Sequence, residues 1–485
     1  MTNNAVLQVD RNDFRSSRRQ FLGSAMGGLA AGSLAEAAAR ADAEPGTRRE
    51  ARGGETQGLR VGWSMTDITP PKPASMRGFF KKRISTGVRD RLMATALALE
   101  GPKLDGVAQQ SIQISCDLCG VAKTTQEDVR RLVKKRLGDF DVGRLVLYAT
   151  HTHQGPYEKS GRFGTKHDIT PQEQAKGAMT GDEYAALLAD KLAEAAVQAW
   201  TGRKPGGVSW ALEHAAAGFN RRFVYLNGAA KMLRPVDTPE FDCVEGVEDH
   251  GLGLLFFWDP QGQLTGVVIN VACPAQTEQG STIISADFWC EVREEIAARH
   301  KGVFVLPQCG AAGDIYPKAM FRRRAEEAMA KRRGIPWRRE IARRIAEGME
   351  RALPIAQSDV AKHPIFRHAV VQVNLPTQPP SVRPSYVCDP VDPAECHVMR
   401  LGDVAIATNP FELFTDYGIR IQARSKATMT LVVQLAGQCS GYLPSARAVR
   451  GGGYGADKYL VGPDGGRILV DRTVEAINGL YDAPK

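Results

Sequence analysis

The chain has 485 residues, 43% of them apolar and 24% charged, which excludes both a small disulfide-stapled scaffold and an intrinsically disordered chain. Its 63 Lys and Arg residues against 54 Asp and Glu residues leave a net charge of +9, but the two signs are interspersed, so a mixed solvated surface is expected and nucleic-acid binding is not. No run of about 18 uninterrupted apolar residues occurs, so no conventional membrane-spanning helix is expected.

The N-terminus reads Ser17-Arg18-Arg19-Gln20-Phe21-Leu22, followed by a Gly/Ala-rich apolar stretch to about Leu34 and a small-x-small step at Ala41-Asp42-Ala43. Paired arginines before such a segment are the signature of twin-arginine export, so residues 1–43 are expected to be a signal peptide that sends the protein to the periplasm or beyond. That route carries proteins already folded, often with a cofactor inserted. Residues 44–58, rich in Gly, Arg, Glu and Thr, read as a linker, and 59–485 as one large domain without internal repeats. Nine cysteines, an odd number, cannot all pair internally. Cys116 and Cys119 form a C-x-x-C with no second copy to complete a thiolate zinc site, so they read as packing residues. Cys388 and Cys396 are placed to close a short Pro/Asp-rich loop.

The clearest local unit spans 111–150. Ser111 to Cys116 reads as a strand. Thr124 and Glu127 form a capping box for a helix whose apolar face is Val129, Leu132, Val133 and Leu137, and Gly138 ends it. Arg144 to Thr150 is a second strand, parallel to the first across the helical crossover. A capping box at Thr180/Glu183 starts another helix, with the stripe Tyr184, Leu187, Leu188, Leu192, Ala195 and Ala199. Buried strands are expected at 252–258, 265–272, 303–307, 367–374, 397–408 and 429–435. This alternation predicts an α/β or layered α+β domain. Residues 322–344 hold ten basic and three acidic residues around Gly334-Ile335-Pro336. They read as two solvated helical segments with a break, or as a contact surface for anionic lipid headgroups or a polyanionic wall.

Chemistry-bearing residues cluster where strands end. The strand closing at Thr150 runs into His151-Thr152-His153-Gln154-Gly155-Pro156, and two histidines at i and i+2 share one face of an extended chain, an arrangement that suits zinc. Comparable Gly/Pro-rich turns follow other strands: Val271-Ala272-Cys273-Pro274-Ala275-Gln276, Gly310-Ala311-Ala312-Gly313-Asp314, Asn409-Pro410-Phe411-Glu412 and Gly441-Tyr442-Leu443-Pro444.

Taken with Thr66-Asp67-Ile68-Thr69-Pro70-Pro71, Asp90-Arg91-Leu92, Ser115-Cys116-Asp117-Leu118, Phe219-Asn220-Arg221 and Ile284-Ser285-Ala286-Asp287, these strings resembles in content and order the neutral/alkaline, non-lysosomal ceramidase family over about residues 60–460. The resemblance implies an enzyme of sphingolipid metabolism in which zinc-activated water hydrolyses the amide of an N-acylsphingosine or a related small-molecule or lipid N-acyl substrate. It implies zinc ligands at His151, Glu412 and Tyr442, with Cys439 the other candidate for the last position if the register shifts by three. It assigns His153, Asp314 and Tyr316 to the catalytic set, Arg221 to stabilising charge on the substrate oxygen, and Asn220 with Arg221 to substrate binding. Two positions depart from the family pattern. Pro274, or a one-residue deletion, stands where the resemblance implies a second histidine ligand, with Cys273 or Gln276 as substitutes, and Tyr316 stands in place of a serine. The family's additional C-terminal immunoglobulin-like domain is not expected in this sequence, which ends soon after Tyr481. The alternative is a relative that has lost a zinc ligand and binds a ligand without cleaving it, or acts with a different specificity. The sequence is silent on oligomeric state.

Overall fold

In the first sheet the residues of one strand divide strictly by parity. Ala94, Ala96 and Ala98 face the helices outside, while Leu97 and Leu99 face inward. Both faces are buried, which is why so many strands here are continuously apolar. The computed structural model describes residues 58–104, 106–161, 165–384 and 388–482. The expected signal peptide and nearly all of the linker lie outside the described residues.

Three sheets follow one plan. In the first, Arg60–Asp67, Met93–Leu104 and Val107–Cys116 are antiparallel, and Leu145–Ala149 joins Val107–Cys116 in parallel. In the second, Gly207–His214, Gly251–Trp258 and Leu264–Val271 are antiparallel, and Phe304–Cys309 is parallel to the last of them. In the third, Phe366–Val373, Ala394–Leu401 and Val404–Thr408 are antiparallel, and Met429–Val433 is parallel to Val404–Thr408. Each parallel pair is bridged by a helix: Lys123–Lys134, Phe288–Arg299 and Thr415–Arg424. Each parallel strand is followed by a long helix packed on the bridging one: Gly181–Thr201, Trp337–Gln357 and Pro463–Asp482. The inner faces of the three sheets share a core that includes Tyr148, Phe257, Leu306, Ile406 and Leu431. Helices cover the outer faces. The layered α/β class is therefore as expected, but the absence of repeats is not: one strand-and-helix unit recurs three times. The recurrence lies in hydrogen-bond topology and is carried by different side chains, so residue identity hides it.

Several local expectations need correction. The helix in the first unit starts at Lys123 after Ala122, with no side-chain cap, so Thr124 and Glu127 form no capping box. Its first amide is instead satisfied from a distant loop, by Asp389 Oδ2 at 3.1 Å. It ends at Lys134, before Gly138. The single strand expected at 397–408 is a hairpin, Leu401 pairing with Val404 around Gly402 at φ 61°. Cys396 is a free thiol buried within its strand, so no Cys388–Cys396 bridge forms. The Thr180/Glu183 box is present. The basic stretch forms two helices broken at Gly334, φ 68°. Arg338, Arg343 and Arg344 pair with Glu278, Glu291, Glu340, Glu347 and Glu326. Among the described residues no helix is long and apolar enough to cross a membrane.

Candidate metal centre and active site

The carboxyl ends of the three parallel pairs meet at one cleft, where open α/β sheets place their ligands. From the first unit comes His151, two residues past its strand, with φ 65°. A non-glycine residue held there stores about 1–3 kcal/mol of strain, and the contacts around this one explain its persistence. His151 Nδ1 donates to the Cys119 carbonyl at 2.5 Å, so Nε2 is the ring nitrogen left to face Glu412 Oε2, 3.2 Å away, as a proton donor to the carboxylate or, once deprotonated, as a metal ligand beside it. From the third unit come Glu412 and Tyr442, which pair directly across two short parallel strands. The Glu412 amide donates to the Gly441 carbonyl at 2.9 Å. Gly313 makes this approach feasible, because a Cβ there would lie 2.4 Å from the Glu412 carbonyl oxygen. The Tyr442 hydroxyl bonds the Glu412 carboxylate and Tyr454, and accepts from Arg221 Nη2 at 3.2 Å.

Electrostatics follow from burial and these partners. Burial penalises the charged form of Glu412, yet His151 and Arg221 outweigh it and hold the carboxyl below its usual range. Burial likewise opposes protonation of His151, but Glu412 reverses the balance and lifts it well above the ordinary imidazole value. His153 is pushed well below that value by burial first, then by His151, Arg221 and Arg83.

The second unit contributes differently. Gln276 Nε2 lies 2.9 Å from His153 Nε2, and Gln276 Oε1 is committed to Gln279 at 3.0 Å. The amide therefore donates to His153 Nε2, which places the imidazole proton on Nδ1. That atom is buried with no hydrogen-bond partner among the described residues. Gly78, at φ 103°, lets the backbone close over this ring, since a Cβ there would sit 2.4 Å from His153 Cγ. A cavity of about 90 Å³ results, lined by His151, His153, Glu412 and Tyr442 together with Arg77, Phe79, Phe80, Cys119, Cys439 and Tyr454.

Of the residues expected at the site, His151, His153, Glu412 and Tyr442 come together, and Arg221 reaches Tyr442. Tyr442, not Cys439, is the residue bonded to Glu412. Asp314 is fully engaged elsewhere: Oδ1 accepts from the Thr415 amide and hydroxyl at 2.8 Å, and Oδ2 from Asn220 Nδ2 at 2.9 Å. Asp314 and Asn220 thus fasten the turn that carries Arg221, whose amide donates to the Asp314 carbonyl at 2.9 Å. Tyr316 pairs with Phe219 in a short strand and does not line the cavity. Cys273 points its thiol at the Ala217 carbonyl, within the second unit's core, so it is no substitute for the expected histidine. Gln276 is the residue that reaches the site.

Cys119, read from sequence as packing, is the residue that reading missed. Its sulfur and one ring nitrogen each of His151 and His153 lie within 4.8 Å of one another. The signal was present: Cys119 and His151 follow the ends of two strands expected to be parallel neighbours, which places their turns side by side. Donors of N, O and S type at His151, Glu412, Tyr442 and Cys119 fit a borderline-soft ion such as zinc.

No family model matches the chain, and no curated protein sequence does. Solved structures do resemble it. A neutral ceramidase from Pseudomonas aeruginosa aligns with TM-score 0.68 and 17% identity, covering 88% of this chain and 75% of that one. A second structure, a ceramidase complexed with C2, gives TM-score 0.66 and 16% identity over 88% and 76%. The chain has the ceramidase fold, in a divergent sequence.

Proposed function

We propose that this chain is an exported, zinc-dependent hydrolase that cleaves the amide bond of a lipid or small-molecule N-acyl substrate, as a ceramidase does. The observation that carries the reading is the convergence of His151 Nε2, the Glu412 carboxylate and the Tyr442 hydroxyl at the end of one cleft. His151, Glu412 and Tyr442 would hold the ion, which when bound lowers the pKa of water and polarises a carbonyl.

The chain's own residues supply the rest. Arg221, buried and fixed by the Gly313 carbonyl at 2.8 Å, offers a cation beside the position where the amide oxygen gains charge. His153 borders the cavity, its Nδ1–H without a partner among the described residues, and, held neutral by its surroundings, serves to pass a proton toward the leaving nitrogen. Phe79, Phe80 and Tyr454 give the cavity an aromatic wall. Exposed Phe321 and Met329 beside Arg322, Arg323 and Arg324 support a peripheral contact with anionic membrane surfaces. Export by the twin-arginine route is tested by Arg18→Lys with Arg19→Lys, which should leave the protein in the cytoplasm.

The test of the activity is turnover of fluorescent N-acyl substrates of varied headgroup, before and after chelation and after zinc is restored. Loss on chelation and recovery with zinc supports the reading, and turnover that survives complete metal removal sinks it. One observation favours the second reading, a non-catalytic binder: the second unit brings Gln276, an amide, where an imidazole would strengthen metal binding. Saturable substrate binding without turnover by the zinc-loaded protein would select it.

A further inference from the structure

The threefold plan of the fold allows positions in different units to be compared. In the first unit the strand Val107–Cys116 is followed three residues later by Cys119. In the second, Leu264–Val271 is followed three residues later by Pro274. Both turns open alike, with the Leu118 amide donating to the Cys116 carbonyl and the Cys273 amide to the Val271 carbonyl, each at 2.8 Å. The next parallel strand then returns an amide to the same carbonyl, from Thr150 at 3.0 Å and from Gly310 at 2.9 Å. Cys119 is therefore the quasi-equivalent of Pro274, one unit over, and it can offer a metal-binding atom where proline cannot.

Its surroundings are built for that. Cys119 is buried, at 6% exposure, and its sulfur lies 3.8 Å from His151 Nδ1. The His151 nitrogen on that side is occupied by the Cys119 carbonyl, so the ring is held with Nε2 toward Glu412 by the same residue that brings the sulfur. The Arg77 guanidinium donates to the adjacent Gly120 carbonyl at 3.1 Å and pairs with the buried Glu158 carboxylate, which fixes the turn that carries the thiol. His153, the other nitrogen donor of the group, has its Nε2 taken by Gln276 and its proton on Nδ1, so it is not available as a ligand in this tautomer.

We propose that Cys119 is a metal ligand of this site, acting as a thiolate with His151, Glu412 and Tyr442, and that it does so from the turn of the first unit that is quasi-equivalent to the Pro274 turn of the second. Binding converts the thiol to a thiolate and releases its proton to solvent, with no change of oxidation state. The proposal rests on the metal-dependent reading above and is tested apart from activity.

Apoprotein of the full chain is titrated with Co²⁺ and followed by metal analysis and absorption. A thiolate ligand gives an intense near-ultraviolet sulfur-to-cobalt charge-transfer band that nitrogen and oxygen ligands do not. The expected result is about one bound Co²⁺ with that band, lost in Cys119→Ser and kept in Cys439→Ser, with affinity at least about tenfold weaker in Cys119→Ser. Stoichiometric Co²⁺ without the band overturns the assignment of Cys119 and leaves the metal-dependent reading standing, and needs no variant to fold. A band lost in Cys439→Ser but kept in Cys119→Ser also overturns it. No Co²⁺ bound by folded wild type overturns both.

Discussion

Two pairs of buried histidines can be set side by side. His368 and His397 sit within neighbouring strands of the third sheet. His368 Nδ1 donates to the Gln110 carbonyl at 2.9 Å, its Nε2 meets His397 Nδ1 at 2.9 Å, and His397 Nε2 faces Glu395 at 3.1 Å and Arg130 at 3.4 Å. Arg130 bonds Glu395 in turn at 2.7 Å. Every ring nitrogen has a partner, and none lines the cleft. His151 and His153 lie past a strand end, one in a left-handed conformation and the other with an unpartnered nitrogen, both bordering a cavity. Burial and imidazole are common to both pairs. What separates a structural pair from a candidate site is unsatisfied polar capacity beside open space.

The sharpest way to break this contrast is His151→Ala. It should cost at least about a thousandfold in kcat/KM, because electrostatic stabilisation by a bound ion is worth several kcal/mol, while the unfolding midpoint moves little. Steady-state kinetics beside thermal denaturation checks both halves. Arg221→Ala should lose about a hundred- to a thousandfold in kcat with metal content unchanged, as removal of an oxyanion donor does elsewhere. In the other pair the expected effects reverse. Glu395→Gln should lower stability by about 2 kcal/mol, the value of a charge-assisted hydrogen bond in a mostly buried setting, and leave kcat of the folded protein as it was. Urea titration resolves a change of that size.

Gln276→Leu should lower kcat about tenfold while metal binding persists, since it frees His153 Nε2 and lets the proton move between nitrogens; a shifted pH–rate profile is the readout a purely structural role would not give. The smallest effect is a pH slope. Burial depresses the basicity of His368, so the folded chain refuses a proton that the unfolded chain takes up below about pH 6.5. Stability from this group is full above that range and declines as the pH falls through it. Glu395, also held below its usual range against burial by His397 and Arg130, adds stability that is lost only in stronger acid. His368→Leu should flatten the slope between pH 6.5 and 5 by about one proton.

Much of the site could be read from the chain because strand ends carry their own punctuation. Thr-His-Thr-His before Gly-Pro, Asn-Pro-Phe-Glu and Gly-Tyr each mark a turn after an apolar strand, and the three turns do converge. The fold class followed from the same alternation. Arg60–Asp67 and Met93–Leu104 escaped notice as strands because Gly, Thr, Ser and Ala interrupt their apolar runs, and their pairing partners, not their own propensities, make them strands. The start of Lys123–Lys134 was misplaced because its amide finds Asp389, more than two hundred residues away, and local capping chemistry cannot report a tertiary cap. Asp314 belongs to the catalytic set only by the family resemblance of its Gly-Asp turn. Its two oxygens are in fact spent on Thr415 and Asn220, contacts that no local pattern encodes.

The central claim is that His151, Glu412 and Tyr442 still grip a metal ion although the second unit offers an amide. Elemental analysis of the purified wild-type chain and of His151→Ala, both verified as folded, tests it most directly. The account predicts about one zinc per wild-type chain and a large loss in the variant. An active, fully folded wild-type chain that contains no metal would contradict it.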